Sequence, residues 1–448
     1  MKTPNYSNRT NLVERLILQI KSAASLFEKK KFEEKSSQWL AIVMVLACLI
    51  AVWSYKTHSE LSTFVTSNGT WNIASNIVNG DGFSACDTNY FPFCSPSNQS
   101  TAMREPVPVL LMAAAMLIYP DEDAGLILQA VLYLGTALAI YFALKKEDAR
   151  LALLASFLWI VSIPVITEMQ DDTGHMTAAF FFTIGMFFFL RGYREQKFSH
   201  LILSGIFLGI ASLSRTVHLG TAIGLGLVLI GLQVRARSMK GIFQAIIFLA
   251  IVCLTIAPWV IRNKMALGAP LLGSSLTGYN IYRMNFYIEN DPFQLHYVGG
   301  AEGAQAIQQL VENSDLTGTE NEAQMNSFYM KEGKRIILEH PFRYVVLILH
   351  RFLLVWFNFG FRKSYGEGLL IRDYLAIIQQ IFFLIAVTVG AVKKYKEYWP
   401  LALSIVLECG AYMAVSAQLR YTVDLMPNVV ILSAFALSSL PFMKKITN

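Results

Sequence analysis

Apolar runs long enough to cross a bilayer recur along the chain from residue 39 to 442, separated by short charged stretches. Their limits predict ten membrane helices, at 39–55, 125–144, 149–166, 175–190, 200–213, 216–232, 241–261, 374–392, 399–415 and 423–443. Two further apolar stretches do not read as crossings. Residues 106–119 are short and begin with Pro106 and Pro108, and 342–359 carry His350 and Arg351 at their middle. Both are expected to lie in the outer interface, where polar side chains can snorkel. In 12–27, Leu12, Leu16, Ile20, Ala24 and Phe27 repeat at helical spacing ahead of Lys29–Lys31. That segment is either an amphipathic helix on the inner surface or an ordinary basic flank.

Composition agrees with the pattern. The chain is 54% hydrophobic and 15% charged, with a mean hydropathy of +0.44. A soluble enzyme and a nucleic-acid-binding protein are thereby excluded as readings. The expected fold is an all-α polytopic membrane protein: residues 1–38 form a cytoplasmic segment, and 39–448 form one transmembrane unit with large outer loops at 56–124 and 262–373. No internal repeat is visible. Short connections rich in Lys and Arg stay in the cytoplasm. The first 38 residues hold eight such residues, and further clusters fall at Lys145–Lys146, Arg191–Lys197, Arg235–Lys240, Lys393–Lys396 and Lys444–Lys445. Ten crossings place all of these inside, together with both termini, in a plasma or inner membrane.

The outer side then receives the unusual charges. The stretch VITEMQDDTGHMTAAFFFTIGMFFFL packs Glu168, Asp171, Asp172 and His175 into one turn, and Arg215, Arg262 and Arg420 sit at other outer span ends. Charges so near hydrocarbon are costly, and they pair, line a watery cavity or serve function. Cys86 and Cys94, in CDTNYFPFC, are placed to close a small disulfide loop outside. Cys48, Cys253 and Cys409 fall in apolar spans as packing residues. No zinc pattern or phosphate-binding glycine loop is present. No cleavable signal peptide is visible, and the sequons at Asn68 and Asn98 matter only in a secretory-pathway host.

Six segments, in order, carry a resemblance. TWNIASNIVNGDGFS begins at Thr70, and the proline-led MREPVPVLLMAAAMLIYP follows it. GIFLGIASLSRTVHL contains Arg215, and APWVIRNKMALGAPLLGSSLTGYNIY contains Arg262. EHPFRYVVLILHRFLLVWF and LRYTVDLMPNVVILSAFAL complete the set. Together they resemble the GT-C membrane glycosyltransferases, in the branch of protein O-mannosyltransferases and aminoarabinose transferase-like proteins. The resemblance implies a hexosyl- or pentosyltransferase that takes its sugar from a polyprenyl-phosphate carrier on the outer face, without a cofactor or a metal. One departure stands out. The family carries an acidic residue three or four positions before the aromatic that corresponds to Trp71, where this chain has Ser67 and Asn68.

The chemistry assigns expected roles. A base removes the acceptor's proton as an oxocarbenium-like transition state forms, and Asp171, Asp172 and Glu60 are the candidates. The leaving phosphate calls for guanidinium forks, which Arg104, Arg215, Arg262 and Arg420 supply. Glu168, His175, Trp71 and Tyr279 are candidates for holding sugar or acceptor. The alternative for the carboxylates is structural pairing with Arg215 and Arg262. Two adjacent aspartates would also suit magnesium or manganese, although no metal is expected. The expected partners are the polyprenyl-phosphate sugar, the lipid bilayer and a glycan, lipid or protein acceptor. A lipid-linked glycan transporter, a polysaccharide polymerase and an inactive relative remain the alternative functions.

Topology is directly testable. A reporter fused after Lys146 or Lys394 is expected in the cytoplasm and one inserted within 312–322 outside. An external signal after Lys146 would mean that 106–119 crosses the membrane.

Overall fold

The computed structural model describes residues 35–56, 69–94, 99–121, 123–170, 174–289, 301–357 and 371–440. Among these the regular structure is helical, apart from one antiparallel bridge between Ser84 and Ser100. Among the described residues, seven helices are long and apolar enough to cross a membrane: Lys35–Lys56, Ala124–Leu144, His175–Glu195, Val217–Arg235, Met239–Leu267, Ile371–Val415 and Leu419–Ser438. Pro106–Ile118, Ala149–Ile160 and Phe198–Ser212 are shorter apolar helices. The chain is thus an all-α integral membrane protein. The amphipathic segment expected at 12–27 lies outside the described residues.

Local chemistry sets the breaks. Asp148 accepts from the backbone N–H groups of Arg150 and Leu151 and starts Ala149–Ile160. The crossing expected at 149–166 is interrupted at Val161 and Ser162, after which Pro164 opens the short helix Ile163–Glu168. The crossings expected at 374–392 and 399–415 lie on one long helix, Ile371–Val415. Its backbone leaves helical geometry at Lys394 and Tyr398, within the basic turn expected between them.

Those turns gather at one end of the bundle, here called the basic end. Arg194 meets Glu147 and Tyr398 there, tying three helix ends together. At the opposite, loop end, Tyr55 donates to Asp123 and Gln170 donates to the backbone of Ser54. Residues on the bundle's outside, such as Leu49, Leu254, Ile385 and Val406, expose apolar side chains, as a lipid-facing surface requires. The helix Thr422–Ser438 is the axis, buried without a break from Thr422 to Ala436. Close approach elsewhere uses small residues: Gly205 and Gly209, one turn apart, face Ile251 and Thr255 of Met239–Leu267.

A second layer with its own core covers the loop end. Gly69–Val78, Pro106–Ile118, Thr277–Asn285, Ala301–Glu312, Glu322–Glu339 and Pro341–Phe357 build it around Ile73, Met112, Tyr279, Met325 and Tyr329. Cys86 and Cys94 are joined by a disulfide in this layer. The expectation that Arg351 snorkels is corrected. It is 3% exposed and donates to the carbonyls of Met413 and Ala414 at 3.1 and 3.2 Å, to that of Met284, and to Asn285 Oδ1 at 3.1 Å. These carbonyls are the unsatisfied C-terminal groups of two helices, and a buried cation satisfies both sets at once.

Arg351→Met should therefore destabilise the protein by about 2–5 kcal/mol, since it strands buried carbonyls. Arg335→Ala, which removes exposed pairs to Glu332 and Glu339, should cost under about 1 kcal/mol. Parallel unfolding titrations in detergent compare the two. Equal losses would refute the role given to Arg351.

Candidate functional site

The site is built where three helix ends meet at the loop end. After Phe198–Ser212 the chain turns through Ser214, whose hydroxyl donates back to the Ile210 carbonyl at 2.9 Å, and presents Arg215 before Val217–Arg235 begins. After Val415 it turns again through the short 3-10 helix Leu419–Tyr421. Both turns aim guanidinium groups at the Tyr421 ring: Arg215 lies 5.7 Å and Arg420 6.0 Å from its centroid. Tyr421 is fixed by stacking on Tyr412 at 4.5 Å and by a 3.1 Å contact between its hydroxyl and Ser416 Oγ. Burial works against the charge on Arg215. The neighbouring phenols Tyr412 and Tyr421 and the carboxylates Glu105 and Asp424 outweigh it and hold the guanidinium charged.

Directly beneath sits a cluster closed to solvent. The Asp424 carboxylate, with 0% exposure, pairs with His175 Nδ1 at 2.8 Å and accepts from the Tyr412 hydroxyl. His218 Nδ1 pairs with Glu408 Oε1 at 2.9 Å, and its Nε2 lies 3.9 Å from Asp424 Oδ2. Phe182 stacks on the His218 ring at 4.5 Å. Four helices contribute one ionisable group or more each.

A clamp holds the lip of the site. Arg262 donates to the carbonyls of Thr101 at 2.5 Å and Phe83 at 2.8 Å, and its guanidinium lies 5.2 Å from the Phe83 and Trp259 rings. From the other side Glu322 accepts from Thr101 Oγ1 at 2.5 Å, Ala102 N at 2.9 Å and Ser275 Oγ at 2.8 Å. Burial pushes the Glu322 carboxyl up, against the pull of these donors and of Arg262. The clamped segment delivers Arg104 against Gly69, at the start of Gly69–Val78, and Glu105 to a 3.1 Å hydrogen bond from Thr216, beside Arg215. Arg104 Nε is buried with no hydrogen-bond partner among the described residues.

The expected site residues therefore separate. Arg215, Arg420 and His175 come together around Tyr421, whose ring lies 5.4 Å from that of His175. Arg104 lies on the clamped segment next to Glu105. Arg262 is committed to backbone carbonyls, so the structure gives it a tethering position in place of the expected open phosphate contact. Tyr279 is corrected too: it is 4% exposed, packed edge-on between Tyr90 and Tyr329, and presents no open face to a sugar. Trp71 is half-buried against the core of the loop-end layer, and Glu168 is buried at the end of its short helix. Asp171, Asp172 and Glu60 lie outside the described residues. Gly174, directly after the first two, has φ +88°, and a Cβ there would meet Pro108 and the Ser214 carbonyl.

Sequence reasoning missed His218, Glu408, Asp424 and Glu105. The signal for two was present: Glu408 and Asp424 are carboxylates inside otherwise apolar spans, which marks a functional position by default.

Residues 103–261 match the family model of dolichyl-phosphate-mannose-protein mannosyltransferases, a GT-C family. The matched stretch holds Arg104, Glu105, His175, Arg215 and His218 and ends one residue before Arg262. Among solved structures, the chain is similar to the crystal structure of ArnT from Cupriavidus metallidurans bound to undecaprenyl phosphate. The identity is 11% and the TM-score 0.41, with 90% of this chain and 78% of the other covered. The apo state of the same protein gives 12%, 0.35, 89% and 77%. No curated protein matches in sequence.

Asp424 should be the most sensitive position of the cluster. Asp424→Leu leaves His175 and Tyr412 without their partner and is expected to cost about 3–5 kcal/mol. Asp424→Asn retains an acceptor and should cost clearly less. A thermal-stability series that ranks them in the reverse order would refute this reading.

Proposed function

We propose that the chain is a membrane glycosyltransferase that moves a sugar from a polyprenyl-phosphate carrier to an acceptor at the loop end of the bundle. One observation carries the reading: two arginines from different helix ends flank a single tyrosine ring, and one of them, Arg215, lies within residues 103–261, which match a family of dolichyl-phosphate-mannose transferases. A guanidinium pair suits a phosphate head, and the apolar flanks of the bundle suit its lipid tail. The ArnT structure carries undecaprenyl phosphate, a ligand of the class proposed here.

In this reading Arg215 and Arg420 receive the carrier phosphate, and Arg104 stands beyond Glu105 as a further cation. Arg262 and Glu322 hold the lip on which Arg104 and Glu105 ride. Asp171 or Asp172 takes the acceptor's proton, with Glu60 next in line. The basic end is cytoplasmic and the loop end external, as the clusters at Lys145–Lys146 and Lys393–Lys396 require.

The test uses purified protein and a labelled polyprenyl-phosphate sugar. Arg215→Ala and Arg420→Ala should each weaken donor binding several-fold or more while the fold persists. Unchanged affinity in both would refute the phosphate assignment. Asp171→Asn or Asp172→Asn should slow turnover by roughly a hundred- to ten-thousand-fold, the usual cost of a lost general base. Near-normal turnover in both would pass the role to Glu60, and Glu60→Gln would then decide. Donor movement across the bilayer without donor consumption would instead favour a transporter.

A further inference from the structure

A cavity of about 350 Å³ enters the bundle from the basic end. Lys146, Glu147, Arg191 and Arg194 line its mouth, and Thr183 and Asn428 line its depth. Thr183 precedes Arg191 by eight residues, so the cavity reaches about 12 Å inward at 1.5 Å per helical residue. Asn428 is 1% exposed. Its Nδ2 donates to Ser404 Oγ at 2.7 Å, and its Oδ1, in the cavity wall, has no hydrogen-bond partner among the described residues.

From this point two files of polar side chains run on toward the loop end. Ser404, Glu408 and Tyr412 stand one turn apart along Ile371–Val415, and Asn428 and Asp424 stand one turn apart along Thr422–Ser438. Residues at that spacing share a face. His218 links the files, with Nδ1 2.9 Å from Glu408 and Nε2 3.9 Å from Asp424. His175 and the Tyr412 hydroxyl continue from Asp424 to the Tyr421 ring. His175 Nε2 and His218 Nε2 are both buried without a hydrogen-bond partner among the described residues.

We propose that this column is a proton path joining the basic-end cavity to the arginine-flanked site. Water in the cavity, ordered by Asn428, hands a proton to the Glu408 carboxylate. Glu408 passes it to His218 Nδ1, and the imidazole releases its other proton from Nε2 to Asp424, which exchanges with His175. Each transfer breaks one O–H or N–H bond and forms another, so no co-reactant is consumed. The charged and titratable groups facing the column are Arg215, Arg420, Glu105, Tyr412 and Tyr421 at the loop end, and Lys146, Glu147, Arg191, Arg194, Glu195 and Tyr398 at the mouth. An apolar bundle has no packing need for two histidine–carboxylate pairs in line with a polar-floored cavity, since burying each charge is expensive.

Proton flux tests the path without reference to sugar transfer. The full chain is reconstituted into liposomes with a trapped pH-sensitive dye, and a potassium gradient with valinomycin sets the potential. Wild type should carry protons several-fold faster than protein-free liposomes. Glu408→Gln, which keeps shape and removes the titrating group, should return the flux to the protein-free rate. Asn428→Leu, which makes the cavity floor apolar, should do the same, and Arg335→Ala in the loop-end layer should leave flux at the wild-type level. Thermal midpoints and elution profiles identify folded variants, and either column variant suffices if the other fails to fold. Wild-type flux at the protein-free rate, or undiminished flux in a folded column variant, would overturn the proposal.

Discussion

The arginine-flanked site depends on solvating one carboxylate. Asp424 lies at zero exposure on the axial helix, where an unpaired charge would cost several kcal/mol even after relaxation. The protein supplies the missing solvent from three directions: His175 from one helix, Tyr412 from a second and His218 from a third. Because each partner sits at or near a helix end, satisfying Asp424 also fixes how far those helices slide along one another. Tyr421 and Arg215 inherit their positions from that register, Tyr421 through its stack on Tyr412 and Arg215 through the turn that precedes His218.

The loop-end layer is fastened by the same means, with backbone groups in place of side chains. Arg351 gathers the last carbonyls of two helices, Arg262 gathers those of Thr101 and Phe83, and Glu322 gathers the donors of the same clamped segment. Each of these three charges is bonded to the protein's own backbone. Their work is to convert a long covering layer into a rigid lip, so that Arg104 and Glu105 approach Arg215 from a fixed direction. Precision at a site follows from supporting groups that are themselves fully bonded.

This division explains what could be read from the chain. Apolar runs reported the bundle, because lipid imposes one length and one composition on a crossing helix. The breaks at Lys394 and Tyr398 were legible as a basic turn. What could not be read was which charges were spent. Arg262 and Arg215 look alike as arginines at outer span ends, yet one is used up on carbonyls and the other faces a tyrosine ring with two carboxylates nearby. Only the fold, which brings Thr101 beside a residue 161 positions later, distinguishes them. Tyr279 misled for the same reason, since an aromatic in an outer loop can be platform or core. Glu408 and Asp424 erred in the other direction. They lay inside apolar spans and were visible as costly residues, but outer-face charge drew the reading away from the interior.

The balance of charge around Arg215 bears on the transferase reading. Glu105 and Asp424 offset part of its charge before any ligand arrives, so a singly charged carrier diester gains less at this site than it would from a bare guanidinium. Once the sugar departs, the phosphate left behind carries more negative charge than the donor did. It then draws harder on Arg215 and on Arg420, across the same ring. A site whose cations are already partly compensated thus favours developing charge over the ground state, which is the condition for binding to accelerate a reaction. In the transferase reading, a buried carboxylate near Arg215 therefore reserves the strongest attraction for the leaving group.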